Sequence, residues 1–260
     1  EIFGVKLVKM NFSVNWEVFW NTLKVKDWQD LLWKGILNTV EIAVLGLIIG
    51  IVIGTLIAIV KVSPKYSPVV RVLDKICSLY VALFRGTPMV VQLLIAYYVL
   101  LPALGVKGVD ALTVGIIVFG MNSGAYVSEI MRGGINSVDA GQMEAGRALG
   151  LSYPVTMIKI VIPQAVKNII PTLGNEFITL IKETSVVSFI TVYDLYTVMK
   201  AIGGKNYDFV TPYLFMAAIY IILVLLITLL IKLIERAFSK SDRNFTAKTK
   251  KSKKTKKAGV

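Results

Sequence analysis

Residues 139–163, DAGQMEAGRALGLSYPVTMIKIVIP, form the one long polar, helix-forming insert between very apolar segments of this chain. Asp139 can cap a helix, Gln142 can complete a capping box three residues later, and Gly150 can end the helix in the left-handed conformation. Ser152 can cap a second helix. The insert is therefore predicted to form two short helices between membrane-spanning segments.

The first of these helices carries very little bulk. Ala145, Gly146 and Ala148 are small, and small residues let another surface approach the helix backbone closely. Glu144 and Arg147 lie three residues apart on one face and can form an ion pair. Two interpretations stay open on this basis: an ordinary interfacial helix between two spans, or a surface helix that fits the cleft of a partner.

The insert resembles the EAA loop of ABC-importer membrane subunits, in which E-A-A is followed after three residues by Gly and after nine more by I-x-L-P. Glu144, Ala145 and Gly150 match that pattern, and so do Ile160 and Pro163. In that family the loop is a cytoplasmic coupling helix that docks on a separate ATPase. The resemblance thus implies the same role for this insert.

Two positions depart from the pattern: Gly146 stands for Ala, and Ile162 stands for Leu. Both replacements are similar in size, although Gly weakens a helix by about 1 kcal/mol relative to Ala. The residues expected to couple the chain to an ATPase are Glu144, Ala145, Gly146 and Gly150.

Composition places the chain in a membrane. Apolar residues make up 55% of it, mean hydropathy is +0.70, and several runs reach the ~20 residues that a helix needs to cross a bilayer. The net charge of +13, much of it after Lys232, indicates a lipid surface before a nucleic acid. A single Cys77 and the absence of His exclude an intrachain disulfide and argue against a metal site. We predict an all-α polytopic membrane protein.

Five segments are long and apolar enough to be transmembrane helices. They cover residues 36–60, 76–101, 111–131, 168–190 and 213–233. With five spans, the basic 61–75 loop, the 132–167 insert and the basic tail share one side, so the positive-inside rule places them in the cytoplasm and the N-terminus outside. The insert then becomes a cytoplasmic coupling helix between spans 3 and 4. The lysines of residues 1–34 are an exception to the rule, and residues 191–211 are expected to form a polar outer loop.

The chain is expected to have three parts. Residues 1–34 place tryptophans among charges and are expected to be an N-terminal interfacial segment. Residues 35–238 are the transmembrane permease domain, and residues 239–260 are a polybasic cytoplasmic tail. A stripe of glycines in the first span predicts close helix contact, with its members at Gly46, Gly50 and Gly54.

The second span contains FRGTPMVVQ at residues 84–92. An arginine near the middle of a membrane helix costs roughly 2.5–3.5 kcal/mol, so Arg85 should face the bundle interior with a partner. Gly86 and Pro88 loosen the backbone beside it. Arg85 could then hold an anion such as a carboxylate. The alternative is that Arg85 lies at the cytoplasmic interface.

Two other spans carry polar side chains. Asn122 and Tyr126 share a face of the third span, with Ser123 beside them, and Glu176 lies near the middle of the fourth. A buried carboxylate marks a site for a cation, a proton or an arginine, and the alternative is a structural pair with Arg85 or a nearby lysine. A guanidinium, a carboxamide and a carboxylate on three spans could hold a zwitterion such as an amino acid.

Four segments resemble the polar amino acid permease family of ABC importers, and the resemblance covers about residues 36–236. They are FRGTPMVVQ, NSGAYVSEIMRGGI, GQMEAGRALG and IPQAVKNIIPTLGNEF. The resemblance implies a substrate site halfway across the bilayer, where Arg85 binds the α-carboxylate and Asn122 and Glu176 complete the pocket. The substrate-binding residues expected on this basis are Arg85, Thr87, Asn122, Ser123, Tyr126 and Glu176.

The resemblance also implies substrates and partners. Family members with Glu at the position of Glu176 tend to handle basic amino acids, which favours arginine, lysine or histidine over glutamine or glutamate. The expected partners are a cytoplasmic ATPase dimer, an identical or homologous second permease subunit and an extracytoplasmic amino acid-binding protein, in the plasma membrane of a prokaryote. The chain has no G-x-x-x-x-G-K-[ST] motif, so it should not hydrolyse ATP. No cofactor is expected on it, because ATP and Mg act on the partner.

Two other functions stay open from the residues alone. An ion-coupled secondary amino acid transporter would use Glu176 and Glu183 as proton or sodium sites, but the chain is short and shows neither an even number of spans nor an inverted repeat. A membrane adaptor or sensor that transports nothing would need the charges of Arg85 and Glu176 to be purely structural.

Overall fold

The computed structural model describes the backbone of residues 14–257 and the side chains of residues 14–237. Part of the predicted interfacial segment, residues 1–13, lies outside the described residues, and so do the side chains of the predicted tail, 239–260. The three domain boundaries therefore stay predictions. Over the described residues all regular structure is helical, in agreement with the predicted all-α class.

Eleven α-helices make up the described part of the chain. In order they are α1 (Trp16–Leu23), α2 (Lys26–Val62), α3 (Pro68–Gly86), α4 (Met89–Leu94), α5 (Leu101–Ala103), α6 (Ala111–Asn136), α7 (Ala140–Ala148), α8 (Tyr153–Thr156), α9 (Ile162–Glu183), α10 (Leu195–Asn206) and α11 (Val210–Lys257). Two π-helical stretches, Ile95–Leu100 and Met157–Val161, continue α4 and α8, and a 3-10 stretch, Thr184–Ile190, continues α9.

Three helices are long and apolar enough to cross a membrane: α2, α6 and the Val210–Ala237 part of α11. Two bent pairs could each supply one more span. The first joins α3 to Met89–Ala103 with a bend of 107°, and the second joins Tyr153–Ile190 to α10 with a bend of 58°. The described residues therefore contain three candidate spans, or up to five if each bent pair is one span.

The predicted second span, 76–101, is not one helix. It breaks at Thr87 and Pro88, which both have extended backbone angles, with ψ of 144° and 142°. Proline lacks the N–H that would continue the helix ladder, and it disfavours the helical conformation of the residue before it. The break leaves Arg85 one residue from the end of α3, so Arg85 is at a helix end and not at mid-helix.

The prediction of a polar loop at 191–211 is wrong, because this segment contains α10. Leu195, Val198, Met199 and Ile202 recur at helical spacing, are buried, and pack against α1, α2 and α11. Such an apolar stripe is the usual sign of an amphipathic helix. The intervening polar residues, which lie on the other faces of the helix, lower the average hydropathy and conceal the stripe.

The predicted close contact along the glycine stripe is confirmed, and α6 is the partner of α2. A Cβ atom on Gly50 would lie 2.6 Å from Ser123 Oγ, and one on Gly54 would lie 2.7 Å from Val127 Cβ. Because α2 and α6 approach so closely, Ser123 is fully buried in the centre of the molecule.

We expect Gly50→Ala to destabilise the protein by about 1–3 kcal/mol, because the added methyl group overpacks the contact with Ser123. The thermal unfolding midpoint of the purified protein in detergent should fall by several degrees. Gly133→Ala is the matched control on α6: a Cβ there meets no atom within 4 Å, and Ala is the better helix former. Equal midpoints for the two variants would contradict the packing argument.

The insert forms the two predicted short helices, α7 and α8. The side chain of Asp139 caps α7 by accepting a hydrogen bond from the Gly141 backbone N–H at 2.7 Å, and Gly150 follows α7 with φ of +83°. The predicted capping box is wrong. Gln142 instead accepts a hydrogen bond from Gln164 Nε2 at 3.3 Å, which ties α7 to the start of α9.

Two further details of the insert differ from expectation. Arg147 does not pair with Glu144; its Nη1 donates to the carbonyl of Leu151 at 3.0 Å. The second short helix begins after Ser152, as predicted, but the serine backbone carbonyl, and not its hydroxyl, accepts from the Thr156 N–H at 3.0 Å. Helix α8 then runs through the π-helical stretch directly into α9, so the insert and the following span share one helical rod.

Candidate functional site

A polar cavity of about 390 Å³ opens at the break between α3 and α4. It is lined by Arg85, Gly86, Thr87, Pro88, Met89, Asn122, Tyr126 and Glu183. Four parts of the chain meet there: the end of α3, the start of α4, the middle of α6 and the end of α9. The cavity brings together four of the six predicted substrate-binding residues. The other two, Ser123 and Glu176, do not line it but are in contact with each other beside it.

Arg85 lies at the end of α3, exposed to the cavity. Its guanidinium carbon is 5.4 Å from the centre of the Tyr126 ring, within the range of a cation–π interaction. The Tyr126 ring is thus the direct partner of the Arg85 guanidinium, and no carboxylate among the described residues forms an ion pair with it. A stacked guanidinium can still use its N–H donors, which bind a carboxylate as a fork.

Thr87 and Asn122 belong to the hydrogen-bonded structure of the break. The hydroxyl of Thr87 donates to the Leu83 carbonyl at 2.8 Å. Asn122, on α6, is almost fully buried, and its Nδ2 donates to Gln92 Oε1 at 2.9 Å. The amide of Asn122 therefore links the wall of the cavity to the first turn of α4.

Glu176 is half-buried and accepts a hydrogen bond from Ser123 Oγ at 2.9 Å. Ser123 is the residue that faces the glycine stripe of α2, so its hydroxyl cannot move away without disturbing that contact. The structure therefore gives Glu176 a serine partner in place of the predicted structural pair with Arg85 or a lysine.

Glu183 is the charged residue of the cavity wall that was not among the predicted binding residues. It follows Glu176 by seven residues, which is two helical turns, so both carboxylates lie on one face of α9. That spacing is the signal in the sequence that points to Glu183. From the sequence alone, Glu183 is a candidate only for a proton or sodium site, together with Glu176, in the ion-coupled alternative.

The predicted coupling residues differ in exposure. Glu144, Ala145 and Gly150 are exposed on α7 and its end. Gly146 is buried because Thr156 of α8, itself fully buried, lies directly against it. A Cβ atom added at Gly146 would collide with the Thr156 side chain. The small size of Gly146 therefore serves packing within the insert and not the close approach of a partner, and the same contact explains why Gly replaces Ala in the motif.

The insert is connected to the cavity through the chain itself. Helix α7 packs on Thr156, and the rod that begins at Tyr153 continues into α9, which carries Glu176 and Glu183. The Tyr153 hydroxyl also donates to the carbonyl of Val62, at the end of α2, at 3.0 Å. The insert is therefore in direct contact with both α9 and α2.

Comparisons with known proteins give a consistent result. Residues 46–240 match the family model described as a binding-protein-dependent transport system inner membrane component. The chain is 38% identical over 209 residues to the arginine transport system permease protein ArtQ of Bacillus subtilis (strain 168), covering 80% of this chain and 93% of that protein. It is 37% identical over 218 residues to the L-cystine transport system permease protein TcyB of the same organism, covering 84% and 90%.

Among solved structures, the chain resembles one described as the crystal structure of an amino acid ABC transporter with histidines. The TM-score is 0.75 with 38% identity, and the match covers 84% of this chain and 98% of that one. The two named relatives are permease proteins and not ATPases. Because the family model matches most of the sequence, this chain belongs to the family of binding-protein-dependent transport system inner membrane components, the permease subunits of ABC importers.

Proposed function

We propose that this importer permease moves polar amino acids into the cell, with arginine, lysine or histidine favoured over glutamine or glutamate. The observation that supports this most is one cavity that presents a guanidinium, a carboxamide and a carboxylate. The relative named for arginine transport and the solved structure described with histidines agree with a basic substrate. The other relative is named for cystine, which has the α-amino and α-carboxylate groups in common with arginine but not a cationic side chain.

In this proposal the cavity holds the amino acid group and α9 distinguishes the side chains. Arg85 binds the α-carboxylate as a fork, with Thr87 and Tyr126 beside it. Asn122 and Glu183 are in the same cavity and receive the α-ammonium group. Glu176 lies two turns before Glu183 on α9, roughly 10 Å along the helix axis, and receives a cationic side chain while the Ser123 hydroxyl holds its carboxylate in place.

Glu176→Gln is expected to weaken transport of arginine and lysine by about 10–100-fold and to leave transport of a neutral amino acid nearly unchanged, because only a cationic side chain uses that charge. Glu183→Gln should weaken transport of all substrates to the same extent. Uptake of labelled amino acids by the reconstituted transporter measures both effects.

The matched control is Thr228→Val, which removes a hydroxyl that also bonds only to its own helix but lies on α11, outside the proposed site. Its uptake should equal that of the wild type. An equal loss of cationic and neutral substrates in Glu176→Gln would remove the assignment of Glu176 to the side chain. If uptake showed no preference for polar amino acids in the wild type, the proposed substrate class itself would be rejected.

The proposed topology has five spans, each bent pair counting as one, with the N-terminus outside. This arrangement is supported by the basic character of the 61–75 loop and of the 132–167 insert, which it places together in the cytoplasm. It also places α7 where an ATPase could reach its exposed residues. The lysines of residues 1–34 are the exception to the positive-inside rule in this topology. Three of them, Lys24, Lys26 and Lys34, lie before the apolar part of α2.

The proposed partners are a cytoplasmic ATPase dimer on the insert, a second permease subunit, identical or homologous, and an extracytoplasmic amino acid-binding protein. The family description, a binding-protein-dependent system, supports the first and the last of these. We infer that the chain itself binds no cofactor, since ATP and Mg act on the ATPase. No observation favours the ion-coupled alternative, and the matched proteins are components of a different class of transporter.

A further inference from the structure

The break between α3 and α4 leaves backbone carbonyls without the helical partners they would have in a continuous span. The carbonyls of Phe84 and Thr87 flank Arg85, and carbonyls at a helix end need a hydrogen-bond partner from a side chain or from water. In this chain a side chain supplies hydrogen bonds to both. That side chain belongs to Gln92, which does not line the cavity.

Gln92 lies on the first turn of α4 and turns back to the end of α3. Its Nε2 is 2.8 Å from the Phe84 carbonyl, 3.0 Å from the Thr87 carbonyl and 2.9 Å from Thr87 Oγ1. The Thr87 hydroxyl already donates its proton to Leu83, so toward Gln92 it can only accept. All three neighbours are therefore acceptors, and the amide nitrogen of Gln92 must be the end that faces them.

This orientation determines the orientation of a second amide. With its nitrogen at the break, Gln92 directs Oε1 toward Asn122 on α6. Because Oε1 can only accept a hydrogen bond, the donor must be Nδ2 of Asn122, which lies 2.9 Å away. The same Nδ2 is 3.4 Å from the Phe84 carbonyl. Because both contacts use the nitrogen of Asn122, its carbonyl oxygen is the end left for the cavity that Asn122 lines. An acceptor there suits an ammonium group.

We propose that Gln92 is a positioning residue for substrate binding: it holds the break beside Arg85 and orients the amide of Asn122 so that the carbonyl oxygen receives the substrate's ammonium group. This inference rests on the proposed function, in which the cavity binds an amino acid. It assigns two separable effects to one side chain. Donation from Nε2 supports Arg85, and acceptance by Oε1 fixes the polarity of Asn122.

The test is equilibrium binding of labelled arginine to the full-length permease assembled with its ATPase partner in nanodiscs, without binding protein or nucleotide. Competition by the analogue of arginine that lacks the α-ammonium group gives a preference ratio for that group. Gln92→Leu removes both donor and acceptor, so Asn122 can turn over, and the ratio should fall by about tenfold. Gln92→Glu keeps an acceptor for Asn122 but loses the donor, so both ligands should weaken together while the ratio is retained.

Gln164→Leu is the matched control. Gln164 Nε2 also bridges a backbone carbonyl, that of Ile160 at 2.9 Å, and another amide, that of Gln142, but it does so where the insert joins α9, away from the cavity. The Gln164→Leu variant should bind both ligands as tightly as the wild type does. A purely structural role for Gln92 predicts parallel losses in Gln92→Leu and Gln92→Glu with an unchanged ratio, and that result would overturn the inference alone. A wild type that binds no arginine would overturn the proposed function together with it.

Discussion

Arg85→Ala is expected to lower uptake of every substrate of this importer by about 100-fold or more. The α-carboxylate is common to all amino acids, and Arg85 is the cation of the cavity that could bind it. Removing one partner of a desolvated charge pair costs about 2–5 kcal/mol, which corresponds to roughly 30-fold to several thousand-fold in affinity. Initial rates of uptake by proteoliposomes that contain the whole transporter measure the effect.

Two variants make this test specific. Arg85→Lys keeps the charge but loses the planar fork and its stacking on Tyr126, so its uptake should lie between those of the wild type and Arg85→Ala. Arg71→Ala is the matched control, because Arg71 is also exposed on α3 but lies 14 residues before Arg85, about 21 Å along the helix. Wild-type uptake by Arg85→Ala for any amino acid would contradict the assignment of the carboxylate site.

Gly150→Asp is expected to lower substrate-stimulated ATP hydrolysis and uptake by about tenfold or more, the equivalent of losing about 1.4 kcal/mol of docking free energy, while the protein still folds. Gly150 has φ of +83°, and a Cβ added there would meet no atom within 4 Å, so an Asp side chain has room. Asp is also among the residues that enter the left-handed region most readily. The expected loss therefore comes from the surface offered to the ATPase. Co-purification of the ATPase and its hydrolysis rate with and without substrate measure it.

Gly105→Asp provides the matched control for this second prediction. Gly105 also has a positive φ, +69°, and open space around it, but it lies in the short loop before α6, on the opposite side of the proposed topology. Gly105→Asp should bind the ATPase normally. Glu144→Lys, which changes an exposed charge on α7, should behave like Gly150→Asp. Normal ATPase binding in both insert variants, or labelling of Leu149→Cys from outside sealed cells, would contradict the docking role and the orientation.

Several features of the fold could be predicted from sequence because they depend on neighbours along the chain. The spacing of Gly46, Gly50 and Gly54 indicates a smooth helix face that another helix can approach closely, whichever helix that is. In the structure this helix is α6. The stop at Gly150 and the cap at Asp139 are likewise local, and both are present. The EAA-like spacing was enough to indicate the family that the comparisons show.

Other features could not be predicted because they depend on contacts between distant segments. The stripe on α10 is hidden among polar residues, and only its packing against α1, α2 and α11 shows that it is core. Gln142 has a partner in Gln164, which competes successfully with the capping box. Gly146 is small because Thr156 lies against it, and that reason is visible only once α8 is folded back on α7.

The sequence by itself determined that this chain is a helical membrane protein with an insert of two short helices, because apolar run length, glycine spacing and helix caps act over a few residues. Only the tertiary structure decided which polar side chains share a cavity. Arg85, Asn122 and Glu183 come from helices far apart in sequence, and they meet at the break at Thr87, where the end of α3 lies beside α6 and α9. A carboxylate seven residues from the predicted one enters the cavity because the end of α9, and not its middle, reaches that break.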